Sequence, residues 1–176
     1  GHFVAVGGSY QRVALAQETA LKSCTLLKNN GILPLKKETL NTIGVIGPNA
    51  DSRVALTGNY HGTSSRYVTI LEGVQDECGD DMRVLYAPGC DLYRRKTEVL
   101  AFENDRIAEA LTVAEHSDTV LLVLGLDETL EGEAPDDGNS MEAGDKPDLL
   151  LPDVQQELLE RVLAVGKPIV VVLIAG

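Results

Sequence analysis

The sequence predicts an α/β fold, a three-layer sandwich built around a mainly parallel sheet. Four short apolar segments, each ended by glycine, proline or a polar turn, have the length and composition of buried strands. The stretches between them carry apolar residues at steps of three and four, which is the pattern of amphipathic helices. Strands that alternate with helices at this spacing are typical of βαβ units and therefore of a parallel sheet.

The strand segments follow one another at intervals that leave room for a helix. Val120 to Gly125 is an uninterrupted apolar run that ends on glycine, and the last segment, Pro168 to Ala175, is also entirely apolar. Runs without polar alternation indicate strands that are buried on both faces. The four strands are predicted near residues 43–47, 83–87, 119–125 and 168–175.

Helices are predicted from periodicity and from end signals. Thr69 is a good N-cap for a helix that reaches about Cys78, and Asn29-Asn30-Gly31 has the composition of a helix stop. The first helix is expected to be part of a connector that packs on the domain. The four helices are predicted near residues 10–29, 70–78, 104–116 and 152–165.

The chain ends at Gly176, directly after the last predicted strand. A parallel strand normally leads into a helix that covers the sheet. We therefore expect the sandwich to be incomplete at its C-terminal end and the chain to be a piece of a longer protein.

Composition excludes several classes of function. The net charge of −12 argues against nucleic acid as a partner and against a basic patch that binds anionic membranes. No apolar run reaches the length of a membrane-spanning helix. The three cysteines are far apart, so we expect no disulfide framework and no structural zinc site, and the sequence implies no other metal and no cofactor.

Much of the negative charge lies in one segment, residues 126–148, which we call the acidic loop. It follows the predicted strand that ends at Gly125, and ligands of open α/β sheets bind at the carboxyl ends of strands. A carboxylate that does chemistry is therefore expected here, although a solvated acidic loop has the same composition. The loop contains one basic residue, Lys146, and nine carboxylates: Asp127, Glu128, Glu131, Glu133, Asp136, Asp137, Glu142, Asp145 and Asp148.

A second loop, residues 58–67, combines glycines with polar and aromatic side chains. His61, Arg66 and Tyr67 are candidates for hydrogen bonding to a sugar or stacking on it, but ordinary turns have a similar composition. A nucleotide-binding loop is disfavoured after the first strand. Gly44 and Gly47 do not make the GxGxxG pattern, and Pro48 removes an amide donor where a phosphate would bind.

Five short phrases follow one another along the sequence, among them Leu27-Lys28-Asn29, Gly47-Pro48-Asn49-Ala50-Asp51 and Gly89-Cys90-Asp91. Together they resemble the second, C-terminal domain of family 3 glycoside hydrolases, the β-glucosidases and β-xylosidases. They are similar to that family's "LLKN-G-LPL", "IAVIGPNAD", "GNY.G....T.L.G", "YA.GCD" and "GLD..-E-E...LLP..Q". In this sequence they are found at residues 24–35, 43–51, 58–69, 86–91 and 124–155.

The resemblance implies a retaining glycosidase of two domains that acts on terminal non-reducing β-D-glucosyl or β-D-xylosyl residues. A (β/α)8 barrel, absent from this chain, would supply an aspartate nucleophile, and this domain would supply the general acid/base. Residues 1–41 would be the linker and helix that follow the barrel, and residues 42–176 the incomplete sandwich. The chain alone would then be inactive. The alternative is a non-catalytic sugar-binding or structural α/β module.

Many members of that family read E-x-E-G-x-D-R in this loop, with the second glutamate favoured as the acid/base. Ungapped counting from Gly125 places the two glutamates at Glu131 and Glu133. We favour Glu133 as the acid/base and keep Glu131 as the other candidate, because Ala134-Pro135 departs from the pattern and an insertion follows. Asp127 is expected to fix the loop through backbone amides.

Overall fold

The computed structural model describes residues 10–58, 61–96, 100, 102, 104–132 and 146–175. The chain divides into two units, Gly1–Leu35 and Lys36–Gly176. The second unit holds the four strands that the sequence predicts. They are β1 (Thr42–Ile46), β2 (Arg83–Ala87), β3 (Thr119–Gly125) and β4 (Ile169–Ile174).

The strands form one sheet in the order β2-β1-β3-β4, and every neighbouring pair is parallel. The predicted parallel sheet is therefore confirmed. Ile46, at the end of β1, lies opposite Ala87 of β2 and Leu122 of β3. β3 continues to Gly125, which lies opposite Ile174 of β4. The β3–β4 half of the sheet consequently extends farther at the carboxyl edge than the β1–β2 half.

Helices cover both faces of this sheet, as a three-layer sandwich requires. Ala110 and Val113 of one helix, with Leu158 and Val162 of another, pack in one cluster. Leu71 of a third helix packs in a separate cluster on the opposite face. The helices of this unit are α2 (Ile70–Cys78), α3 (Asp105–Glu115) and α4 (Asp153–Ala164).

Burial on both faces explains the unbroken apolar run of β3. Leu122 and Leu124 belong to the cluster with α3 and α4, whereas Val123 between them belongs to the cluster with α2. Side chains alternate across a strand, so a strand in a central position needs apolar residues at every step. Leu122, Val123 and Leu124 are all fully buried.

α2 begins where the sequence predicts. The Thr69 side chain accepts a hydrogen bond from the Glu72 amide at 3.2 Å, and the Glu72 carboxylate accepts one from the Thr69 amide at 2.8 Å. This reciprocal pair satisfies two amides that the first turn of a helix leaves without partners. The predicted N-cap is confirmed.

The first unit contains α1 (Tyr10–Ser23), which ends six residues before the predicted stop at Asn29. Ser23 and Cys24 both donate side-chain hydrogen bonds to the Ala20 carbonyl, at 2.8 and 3.5 Å, and such bonds compete with continuation of a helix. The side-chain oxygen of Asn29, Oδ1, instead accepts from the Gly31 and Leu33 amides. Asn29 therefore organises a separate turn and does not end the helix.

Gly47 allows the chain to turn immediately after β1. Its φ is +132°, and a Cβ there would lie 1.8 Å from the carbonyl oxygen of Val123. Only glycine combines this backbone conformation with so close an approach to a neighbouring strand.

We predict that Gly47→Ala lowers the free energy of unfolding by about 3 kcal/mol or more, because the added methyl collides with backbone and the backbone conformation is strained. The measurement is the urea unfolding midpoint of the chain. Gly62→Ala is the matched control, since no atom lies within 4 Å of a Cβ at Gly62. Equal midpoints for the two variants would contradict this account of the turn.

Candidate functional site

The loops that follow β1, β2 and β3 meet at the carboxyl edge of the sheet. The Asn49 side chain, after β1, donates to the Leu126 carbonyl, after β3, at 2.9 Å. Gln155, at the start of α4, donates to the Leu92 carbonyl, after β2, at 2.7 Å. The loops therefore gather along one edge of the sheet, and the acidic loop leaves the sheet there.

The side-chain amide of Gln155 holds the end of β3. Its oxygen accepts from the Gly125 amide at 2.8 Å, and its nitrogen donates to the Gly125 carbonyl at 2.8 Å as well as to Leu92. Gln155 is 0% exposed. A buried polar side chain is stable only when its donors and acceptors are paired, so these contacts specify one position of α4 relative to β3.

Leu126, the first residue beyond β3, is held from two sides. Its amide donates to the Ile174 carbonyl of β4 at 2.9 Å, and its carbonyl accepts the bond from Asn49. Asn49 is 2% exposed, so it acts from inside the protein. We call residues 125–131 the loop base. Its first two residues are bonded to β4, to α4 and to the turn after β1.

A tight turn completes the loop base. The Asp127 carboxylate accepts from the Thr129 amide at 2.9 Å and from the Thr129 hydroxyl at 2.6 Å. The Asp127 carbonyl accepts from the Leu130 and Glu131 amides at 3.0 and 3.1 Å. Leu130 is buried, at 3% exposure, and anchors the turn. The predicted role of Asp127 in fixing the loop is confirmed.

Glu131, one of the two acid/base candidates, lies at the end of the loop base. Its Oε2 accepts from the amide of Lys146 at 2.9 Å. Lys146 in turn bonds Asp148 through its ammonium group. That ammonium, followed by the Leu150 amide, holds the pKa of the Asp148 carboxyl below its ordinary value. Glu133, the preferred candidate, lies outside the described residues.

The three predicted substrate-binding residues have different surroundings. The His61 Nε2 lies 3.5 Å from Glu128 Oε2 of the loop base, so His61 lies beside the segment that follows β3. Arg66 lies 3.4 Å from Asp76 on α2, and the Tyr67 hydroxyl accepts from the Ser64 amide at 3.1 Å. His61 therefore contacts the loop base.

An open cavity of about 310 Å³ lies where the acidic loop returns to the domain. Tyr93 and Arg94 form part of its wall, and the Arg94 guanidinium carbon lies 4.9 Å from the centre of the Tyr93 ring. Leu130 and Lys146 also line the cavity and link it to the loop base. Aromatic and charged groups together suit a polar ring-shaped ligand.

The described residues contain no group of three or more His, Cys, Asp or Glu side chains that could hold a metal ion. They also include no helix long and apolar enough to cross a membrane. Cys90, in the turn after β2, is buried, and burial raises the pKa of its thiol to about 12. That thiol is therefore protonated at neutral pH and is a poor nucleophile.

Sequence reasoning did not single out Gln155 or Asn49 as site residues. In the sequence, Gln155 lies in an ordinary helix start and Asn49 in an ordinary turn. The sequence offered one indication of their importance. Gln155 and Asn49 match the Q of "LLP..Q" and the N of "IGPNAD", but the resemblance gives neither residue a structural role.

We predict that Gln155→Met lowers the free energy of unfolding by about 2–5 kcal/mol, because the amide and carbonyl of Gly125 and the carbonyl of Leu92 lose their partner. Urea unfolding of the chain measures the loss. Gln156→Met is the matched control, since Gln156 is exposed and bonds Glu160 on the helix surface, and it should change stability by about 0.5 kcal/mol or less. A Gln155 variant as stable as the control would contradict the assigned role.

Comparison with known proteins agrees with this architecture. Residues 24–176 match the model of the family described as "Glycosyl hydrolase family 3 C-terminal domain". A beta-xylosidase of Formosa agariphila is 36% identical over 176 residues, which is 96% of this chain and 22% of the relative. A periplasmic beta-glucosidase of Salmonella typhimurium is 33% identical and covers 92% of this chain, which spans 22% of that relative.

Solved structures give the same result. A GH3 exo-beta-xylosidase in complex with a xylobiose aziridine probe superposes with a TM-score of 0.75 at 30% identity, over 92% of this chain and 18% of that one. A beta-glucosidase from Erythrobacter marinus superposes with a TM-score of 0.76 at 34% identity, over 94% of this chain and 24% of that one.

The chain spans about a fifth of the length of the curated relatives it matches. The match nevertheless covers most of this chain, including all four strands and the loops at the carboxyl edge of the sheet. The chain belongs to glycosyl hydrolase family 3 and corresponds to the C-terminal domain of that family.

Proposed function

We propose that this chain is the acid/base domain of a retaining β-glycosidase that hydrolyses terminal non-reducing β-D-xylosyl or β-D-glucosyl residues. The observation that carries the proposal is the loop base, a hydrogen-bonded platform at the carboxyl edge of the sheet from which the acidic loop departs. Support for the substrate class comes from relatives described as beta-xylosidases and beta-glucosidases.

Retaining hydrolysis needs two carboxyl groups about 5–5.5 Å apart on either side of the scissile bond. One attacks the anomeric carbon and the other protonates the departing oxygen, then removes a proton from the water that completes the reaction. We propose that the acidic loop supplies the second group. The first would come from a barrel domain, which we propose precedes residues 1–41 in the intact protein.

Within the loop we propose Glu133 as the general acid/base, following the second glutamate of the family's E-x-E pattern. The loop base would present this residue reproducibly, because its backbone is bonded to β4, α4 and the turn after β1. Accurate placement matters for proton transfer, since the acid must reach hydrogen-bonding distance of the leaving oxygen.

We propose that His61, Arg66 and Tyr67 contribute to substrate binding. The contact of His61 with Glu128 supports this role for His61, since it places the imidazole beside the loop base. Arg66 and Tyr67 use their polar groups within their own loop and with α2, so their contribution to binding would be to shape the loop that carries His61.

We predict that the chain on its own does not hydrolyse aryl β-xylosides or β-glucosides, because the proposed nucleophile and most of the sugar pocket lie outside it. Release of nitrophenol measures activity. The intact protein is the positive control. Turnover by the isolated chain at the rate of the intact protein would contradict the proposed division of labour.

We predict that Glu133→Ala in the intact protein reduces kcat on alkyl glycosides by roughly 100-fold or more, because a poor leaving group needs a proton. Dinitrophenyl glycosides should still form the glycosyl-enzyme, since their leaving group departs without protonation. Azide should then accelerate the second step, because it attacks without a general base.

The matched control is Glu115→Ala, which removes an exposed carboxylate from α3. Near-normal turnover of alkyl glycosides by both the Glu133 and the Glu131 alanine variants would move the acid/base elsewhere. An intact protein that bound xylosides or glucosides without hydrolysing any of them would favour a non-catalytic sugar-binding module.

A further inference from the structure

We infer that Glu131 is a positioning residue that ties the two ends of the acidic loop together, and that the chemical role therefore belongs to a different carboxylate. The inference rests on the proposed function and deepens it. Glu131 Oε2 accepts from the Lys146 amide at 2.9 Å, and these two residues are separated by 15 positions in sequence. The contact joins the point where the chain leaves the loop base to the point where it returns.

Glu131 is held by its backbone as well as by its carboxylate. Its amide donates to the Asp127 carbonyl at 3.1 Å, within the turn anchored by buried Leu130. The side chain is partly buried, so its bond to Lys146 is shielded from competition with water. Glu131 is thus a fixed part of the loop base.

The segment in which the loop returns to the domain is held by a second set of hydrogen bonds. The Lys146 ammonium donates to the Asp148 carbonyl at 2.9 Å, and the Asp148 carboxylate accepts from the Leu150 amide at 2.9 Å. Four residues after Leu150 the chain is already within α4, whose Gln155 is bonded to Gly125. The Glu131–Lys146 bond therefore connects two segments that are each attached to the domain.

Closing the loop at its base lowers the conformational freedom of every residue between the two ends. Under the proposed function, Glu133 would benefit from this, because only one residue separates it in sequence from Glu131. The same bond leaves Glu131 poorly suited to proton transfer, since one of its two oxygens is already occupied by a backbone amide. An acid/base that alternates between donating and accepting needs its oxygens directed at the substrate.

The test compares Glu131→Gln with Glu131→Ala in the intact protein. A glutamine oxygen still accepts from the Lys146 amide but cannot transfer a proton, so Gln should keep kcat/KM within about threefold of wild type. Alanine removes the bond and should lower kcat/KM by roughly 10- to 100-fold through misplacement of the neighbouring acid/base. Because the loss acts through the acid/base, it should be larger for alkyl glycosides than for dinitrophenyl glycosides, and the Gln variant should show no such dependence on the leaving group.

Glu115→Gln and Glu115→Ala, on the exposed surface of α3, are matched controls and should leave kcat/KM unchanged. If Glu131→Ala does not fold, Glu131→Met keeps the side-chain length without an acceptor and takes its place. A Glu131→Gln variant as impaired as Ala and rescued by azide would make Glu131 the acid/base and overturn the inference. An alanine variant with wild-type kinetics would also overturn it.

A second readout does not depend on activity. Loss of the bond should accelerate cleavage by a glutamyl endopeptidase after Glu133 and Glu142 in the Ala variant, but not in the Gln variant. If Glu133→Ala turns over alkyl glycosides normally, the proposed role of Glu133 as the acid/base fails, and the cleavage rates still decide the inference. Faster cleavage of the Ala variant supports the tie between the loop ends, and equal rates for all variants overturn it.

Discussion

The pairing of the Gln155 amide with the backbone of Gly125 is the interaction on which the geometry of the candidate site depends. It satisfies the end of β3 with bonds of 2.8 Å in both directions and uses the same side chain to hold Leu92 after β2. Burial makes the pairing obligatory, because neither partner can turn to water. Three sequence-distant segments therefore share one position at the carboxyl edge of the sheet.

Outward from this edge, a series of hydrogen bonds fixes successive residues of the loop base. Asn49 and Ile174 fix Leu126, the Asp127 turn fixes Leu130 and Glu131, and Glu131 reaches Lys146 on the returning side. A segment rich in carboxylates repels itself, so it needs such anchors if any one carboxyl is to be placed accurately. In the proposed enzyme, the loop base would position the acid/base, and the barrel domain would supply the nucleophilic carboxylate.

The sequence was sufficient for the parallel sheet because buried strands such as β3 need apolar residues on both faces, and that requirement is visible locally. It was insufficient for the end of α1, where Ser23 and Cys24 bond the Ala20 carbonyl, a competition that periodicity does not register. The roles of Gln155 and Asn49 could not be predicted, because their hydrogen-bond partners are distant in sequence. Glu131 and Glu133 are separated by one residue beside an insertion, so spacing alone left both as acid/base candidates.

The most direct test of the central claim is a crystal structure of the intact protein with an unhydrolysed sulfur-linked xyloside or glucoside. The account predicts a Glu133 carboxyl oxygen within hydrogen-bonding distance, about 3 Å, of the linking sulfur, with Glu131 still bonded to the Lys146 amide. Glu131 at the sulfur, or a linking atom with no carboxyl group of the acidic loop near it, would contradict the account.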